Sequence, residues 1–214
     1  MPNYNSLSKD SSMVESKRLV ICITGMPGAG KSTVANLLQN YGFSLVNMGD
    51  VVREQAKLHN LEMNDANLGN LMLQLRRDFG PAAVAHLVLK KIRQDPDMKG
   101  DIVIDGIRSI DEVKVLKTMG QVKLLAIHAS VKTRYNHIKQ RGRGDVPPDN
   151  SDFIVRDKRE LDVGISEAIA MSDEVVSNTN LTKDELQNRV LAIVRKWLDE
   201  TYNTNRGSSR NCYK

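Results

Sequence analysis

Read for its apolar and polar positions alone, the chain begins with 17 polar-rich residues that show no apolar period, then an unbroken apolar run, Leu19-Val20-Ile21-Cys22-Ile23-Thr24. A run that short, ending at a glycine-rich turn, predicts a strand buried on both faces. A helix is predicted from Lys31 to about Asn40, with Val34, Leu37 and Leu38 at helical spacing and Gly42 as its stop. Phe43 to Asn47 then reads as a second strand. Further on, Asn64 can cap a helix whose Leu68, Leu71, Met72, Leu75 and Phe79 recur at helical intervals until Gly80-Pro81 ends it. Ala82 to Arg93 restarts the helical pattern through Val84, Leu87, Val88 and Ile92.

Asp101 to Asp105 is a third buried strand, and Ser109 with Glu112 forms a capping box that opens another helix. Val122 to Ile127 is the fourth strand, a helix follows from about Val131 to Arg141, and further helix reaches Ser172. Glu174 to Val176 makes a short fifth strand. Thr182 with Glu185 is a second capping box, for a last helix carrying Leu186, Val190, Ile193 and Trp197 on one face. Strands alternating with helices call for right-handed crossovers and a parallel sheet, so the expectation is a three-layer α/β/α domain around five parallel strands. Ligands on such sheets bind at the carboxyl ends of the strands.

Composition refines this picture in three ways. Aromatic residues are only 4% of the chain against 40% hydrophobic, so the core must be aliphatic. The formal charge of +5 owes much to Arg206, Arg210 and Lys214 in an acid-free tail, which argues against a basic stripe for nucleic acid on the folded part. With only Cys22 and Cys212, one chain can build neither a disulfide framework nor a zinc site. The apolar stretch from Leu19 to Met26 falls far below the roughly 20 residues of a membrane span, so no membrane partner and a cytoplasmic setting are expected. Residues 1–17 read as a flexible arm, 18–202 as one domain, and 203–214 as a flexible basic tail.

Gly25-Met26-Pro27-Gly28-Ala29-Gly30-Lys31-Ser32 fits the phosphate-loop pattern G-x-x-x-x-G-K-[ST] at every fixed position, between a strand and a helix. Glycines let the backbone wrap closely enough for its N–H groups to meet phosphate oxygens, Lys31 balances charge on the outer phosphates, and the Ser32 hydroxyl coordinates magnesium. The helix that follows aims its positive end at the same anion. ATP and Mg²⁺ are the expected cofactors, held by residues 25 to 32 together with Thr33.

A guanine-specific clamp is missing, since Thr182-Lys183-Asp184 has its aspartate one position too early, and a chain of 214 residues is short for transporter or helicase motors. Small kinases remain. Arginine suits phosphoryl transfer because its planar fork grips phosphate with paired hydrogen bonds. Arg53 follows the second strand, Arg108 the third, and Arg134, Arg141, Arg143, Arg156 and Arg159 surround Gly142 to Pro148, a segment rich in Gly and Pro that reads as a mobile lid.

These residues resemble a known group. The phosphate loop, Asn47-Met48-Gly49-Asp50-Val51-Val52-Arg53 and Asp105-Gly106-Ile107-Arg108 look like the donor loop and two acceptor-side segments of adenylate kinases. A closer resemblance, over residues 19 to about 200, is to an archaeal family of adenylate-kinase-related proteins often labelled dephospho-CoA-kinase-like, through the segments starting at Met48, Phe79, Ile104 and Arg156. The resemblance implies a nucleoside-monophosphate-kinase-like fold with an acceptor-binding region at about 48–95 and a lid at about 141–157. It implies that Arg53 and Arg108 hold an acceptor phosphate, that Asp105 orients magnesium through water, and that Arg141, Arg143, Arg156 and Arg159 close over the moving phosphoryl. Lys31, Arg108, Arg141 and Arg156 are then the catalytic set. Met48 stands where adenylate kinases usually have Thr, the segment before Arg108 is one residue shorter, and the lid lacks zinc-ligand cysteines.

Asp50 either caps the helix after Gly49 or orients the acceptor. His128 could line the pocket, and Asn178 falls where kinases of this kind bring backbone near the base of ATP. The expected activity is an ATP-dependent nucleoside monophosphate kinase acting on an AMP-like small molecule. The alternatives are a dephospho-CoA kinase with Asp50 as base, or a nucleotide switch working through a protein or RNA partner.

Overall fold

The computed structural model describes residues 18–140 and 150–203, with the side chains of residues 150–152 outside that description. The expected arm, Arg141 and Arg143 of the lid, and the tail beyond Asn203 also lie outside the described residues. The elements are β1 (Leu19–Thr24), α1 (Lys31–Asn40), β2 (Ser44–Asn47), α2 (Met48–Leu58), α3 (Asp65–Phe79), α4 (Ala83–Gln94) and β3 (Ile102–Ile107). They continue with α5 (Ile110–Leu116), β4 (Gln121–His128), α6 (Val131–Gln140), α7 (Asn150–Asp162), α8 (Ile165–Ala170), β5 (Glu174–Ser177) and α9 (Lys183–Asn203).

All five strands are parallel, in the order β2-β3-β1-β4-β5, with helices on both faces. β1 lies at the centre because every one of its side chains is buried, as its unbroken apolar run requires. Alternation sorts those side chains into two cores. Val20 and Cys22 join Met48, Val51, Val84, Val88 and Leu116 under α2, α4 and α5. Leu19, Ile21 and Ile23 join Val34, Leu38, Val190, Val194 and Trp197 under α1 and α9. Cys22 is fully buried, and burial pushes its thiol well above the ordinary range, so it serves as packing.

Three local expectations are corrected. Phe79 completes the apolar spacing of α3 yet is 71% exposed, because it is the helix's last residue before Gly80 and borders an open hollow beside Leu75, Ala83 and Leu87. β3 runs on to Ile107, with Gly106 in the left-handed region and a register irregularity opposite Ile23 and Thr24. The helical stretch before β5 is two helices, divided where Gly164 takes a positive φ of 105°. Among the described residues, no helix is long and apolar enough to cross a membrane.

Candidate functional site

The loop between β1 and α1 sits at the carboxyl edge of the central strand. A Cβ on Gly25 would fall 2.1 Å from the Ile127 carbonyl oxygen, and one on Gly28 would fall 2.5 Å from that of Arg134, so both positions admit only glycine. The loop carbonyls are turned outward and held. Pro27 O accepts from Arg134 (3.1 Å), Gly28 O lies 2.9 Å from the His137 ring nitrogen Nδ1, and Ala29 O accepts from the Asn178 amide (2.9 Å). A planar trans peptide sets each C=O opposite the next N–H, so outward carbonyls at Pro27 and Ala29 send the Gly28 and Gly30 N–H groups inward. Gly30 caps α1 with no side-chain hydrogen bond and no acid stands in the first turn, leaving the helix end open to an anion. Lys31 folds over this concavity, its ammonium donating to Gly25 O (2.7 Å) and Met26 O (3.2 Å).

Ser32 opens α1 beside the end of β3, and its hydroxyl donates to Asp105 Oδ2 at 3.1 Å. Asn47, which ends β2 directly opposite Asp105, donates its amide to the same oxygen at 3.2 Å. The other oxygen, Asp105 Oδ1, is buried with no hydrogen-bond partner. A buried acceptor next to a serine hydroxyl suits a hard divalent cation or its water shell, and Mg²⁺ characteristically takes one or two protein ligands and fills the rest with phosphate and water. Ser32 and Asp105 would hold it.

Arg108 leaves β3 over the cleft and pairs through its Nε with Glu160 of α7, while its Nη1 donates to Gly106 O (3.2 Å). Its backbone N–H donates to Glu112 (2.8 Å), the capping-box carboxylate of α5, which is fully buried and also pairs with Arg76 of α3. Burial would raise the Glu160 carboxyl, but the charge and hydrogen bond of Arg108, helped by Lys31 and Arg156, pull it down to about 2. Burial likewise lowers Arg108, and Glu160 more than reverses that, so its pKa ends above the ordinary value.

On the opposite wall, Arg53 pairs with Asp50 one helical turn earlier. Asp50 therefore does not cap α2; the Asn47 oxygen does, accepting from Gly49 N (2.8 Å) and Asp50 N (3.3 Å). Arg159 of α7 lies across Gly69 and donates to Asp65 at 2.8 Å, with Arg156 at 3.7 Å from the same carboxylate. Arg134, expected at the lid, is buried in a two-pronged pair with Asp157 and supports the phosphate loop.

Two linked cavities result. One of about 140 Å³ is lined by the phosphate loop, Lys31, Asp105, Arg108 and Glu160. The other, of about 710 Å³, extends between α1, α2, α3 and α7 and is bordered by Arg53, Asp65, Leu68, Met72, Arg156 and Arg159. A third hollow of about 440 Å³ lies behind the loop, among Thr33, His137, Asn178, Leu181 and Gln187. His128 is exposed at the end of β4 and borders none of them.

A family profile described as an AAA domain matches residues 24–155, and a UPF0200 protein of Methanocaldococcus jannaschii is 42% identical over 166 residues, 78% of this chain and 84% of that protein. The chain belongs to the UPF0200 family. Another UPF0200 protein, from Thermococcus onnurineus, is 37% identical over 185 residues, covering 85% of this chain and all of its own length. TT1252 from Thermus thermophilus, a solved structure, superposes with a TM-score of 0.57 at 17% identity over 85% of this chain and 98% of its own, a likeness of fold. This UPF0200 chain therefore carries a P-loop, kinase-like nucleotide-binding domain.

Sequence reasoning placed the loop, Ser32, Asp105, Arg53 and Arg108 at one strand edge, and these line the two linked cavities. It missed Glu160 as the partner of Arg108, Asp65 as the anchor of α7, and the double role of Asn47. The charge spacing of Arg156-Asp157-Lys158-Arg159-Glu160 was the available signal: on a helix, Glu160 falls on the same face as Arg156.

Proposed function

We propose that this protein is an ATP-dependent nucleotide kinase that transfers the γ-phosphoryl group to a nucleoside monophosphate of AMP type. The observation that carries the reading is the continuity of the phosphate-loop cavity with the larger arginine-bordered cleft, joined at Ser32, Asp105, Arg108 and Glu160. A triphosphate seated on the inward N–H groups of the loop would draw Lys31 from its carbonyl partners. The base of ATP has room in the hollow near Thr33 and Asn178. Magnesium held by Ser32 and, through water, by Asp105 would neutralise charge on the β- and γ-phosphates.

The acceptor enters the larger cleft with its phosphate toward Arg53 and Arg108. Its oxygen attacks the γ-phosphorus, the bond to the β–γ bridging oxygen breaks, and ADP leaves carrying that electron pair. Alignment and charge stabilisation do the work, with no covalent enzyme intermediate. Arg156 and Arg159 border the cleft from α7 and can follow the charge as it moves.

One observation favours a second acceptor chemistry. Arg108 is already engaged by Glu160, and Asp50 stands at the rim of a cleft of about 710 Å³, which suits an adenosine-bearing acceptor phosphorylated on a hydroxyl, as in dephospho-CoA kinase. ADP formation from ATP and Mg²⁺ should be measured with a panel of nucleoside monophosphates and with dephospho-CoA. Stimulation by AMP at least tenfold over the acceptor-free rate is expected. Stimulation only by dephospho-CoA would select the second chemistry, and none by any acceptor would overturn the kinase reading.

A further inference from the structure

We infer that Asn47 is a positioning residue for the metal site, setting the Asp105 carboxylate through the cap of the acceptor-side helix. The inference rests on the phosphotransferase reading above. Asn47 is the last residue of β2, its Cα registered opposite Asp105 of β3, so the two side chains emerge from neighbouring strands at the same level. Its amide has two ends with different tasks. The oxygen accepts from the backbone N–H groups of Gly49 and Asp50, which fixes it toward α2, and the nitrogen is thereby turned to Asp105 Oδ2. With Ser32 donating to the same oxygen, Oδ2 is doubly held and Oδ1 is left buried and open. The carboxylate is thus fixed in one orientation before any ligand arrives.

Gly49 makes this geometry possible. A Cβ there would stand 2.9 Å from the Asn47 oxygen, so a larger residue would press on the cap, while the Arg53 guanidinium at 3.5 Å is in ordinary contact. One amide therefore joins the first turn of α2 to the carboxylate beside the phosphate loop. Partners that orient a metal ligand characteristically govern affinity for the metal, about 10- to 100-fold on removal.

Capping and positioning can be separated by substitution. Asn47→Ser keeps a side-chain oxygen suited to an N-cap. Serine is too short to reach Asp105, so the cap is kept while the donor to the carboxylate is lost. Mn²⁺ affinity of the complex with a non-hydrolysable ATP analogue should be read by electron paramagnetic resonance, alongside analogue affinity in EDTA and unliganded melting.

Asn47→Ser should melt close to wild type and bind the analogue as wild type does in EDTA, yet lose about tenfold or more in Mn²⁺ affinity. Asn47→Ala should in addition melt lower through loss of the cap. Wild-type Mn²⁺ affinity in Asn47→Ser would overturn the inference while leaving the kinase reading intact. A wild-type protein that takes up no analogue with or without Mn²⁺ would remove the reading beneath it.

Discussion

Glu160 shows how one side chain ties stability to the site. It is nearly buried, and it faces Arg108 directly with Lys31 and Arg156 close enough to lower its pKa. Because its folded pKa is depressed from 4.5 to about 2, the stability it contributes is fully present above about pH 4.5 and is lost as pH falls toward 2. Glu160→Gln should remove that acid-sensitive step from the pH profile of denaturant stability. At neutral pH it should lower stability by roughly 3 kcal/mol, since Arg108 would lose its partner. An unchanged acid limb in the variant would show that another carboxylate governs it. Residue chemistry was legible in the sequence where a motif forces it: the Gly25 to Ser32 pattern dictates backbone shape, and Asp105 and Arg108 follow a buried strand. The pairing of Arg108 with Glu160 spans 52 residues, and no local period announces a contact of that separation.

At the scale of elements, α7 matters most. Its inward face carries Phe153, Asp157 and Glu160, with Phe153 packed edge-on against Tyr135 and beneath Arg134. Its outward face exposes Ile154, Val155 and Leu161. Asp157 connects α7 to the phosphate loop through Arg134, and Arg159 connects it to α3 through Asp65 and the flat approach over Gly69. The Asp65 contact is half exposed, so Asp65→Ala should cost less than about 1 kcal/mol of global stability. It should nonetheless speed amide exchange in α7 several-fold, measured by hydrogen–deuterium exchange. Exchange at the wild-type rate would place the restraint on α7 elsewhere.

The helices were legible from their caps and apolar spacing, as Asn64, Ser109 and Thr182 show by holding the first-turn N–H groups expected of them. The start of α2 was not, because its capping residue is Asn47, the end of a strand, rather than Asp50 within the acceptor-like segment.

For the molecule as a whole, the parallel sheet follows from apolar runs that are continuous rather than alternating, and the order β2-β3-β1-β4-β5 puts the most apolar run at the centre. That order brings the ends of β1, β2 and β3 together, so the phosphate loop, Asn47 and Asp105 meet although 80 residues separate the first from the last. Sequence pattern predicts such a convergence at strand ends but carries no measure of cleft size, and the acceptor is written in the walls supplied by α2, α3 and α7. The central claim is that the loop ahead of Lys31 captures a triphosphate with a divalent cation. Isothermal titration calorimetry of ATP with Mg²⁺ tests it most directly, on the wild type and on Lys31→Ala. Saturable one-to-one binding by the wild type, weakened at least tenfold in a Lys31→Ala protein that still folds, is the predicted result. No heat of binding for the wild type, or equal affinity for both proteins, would contradict it.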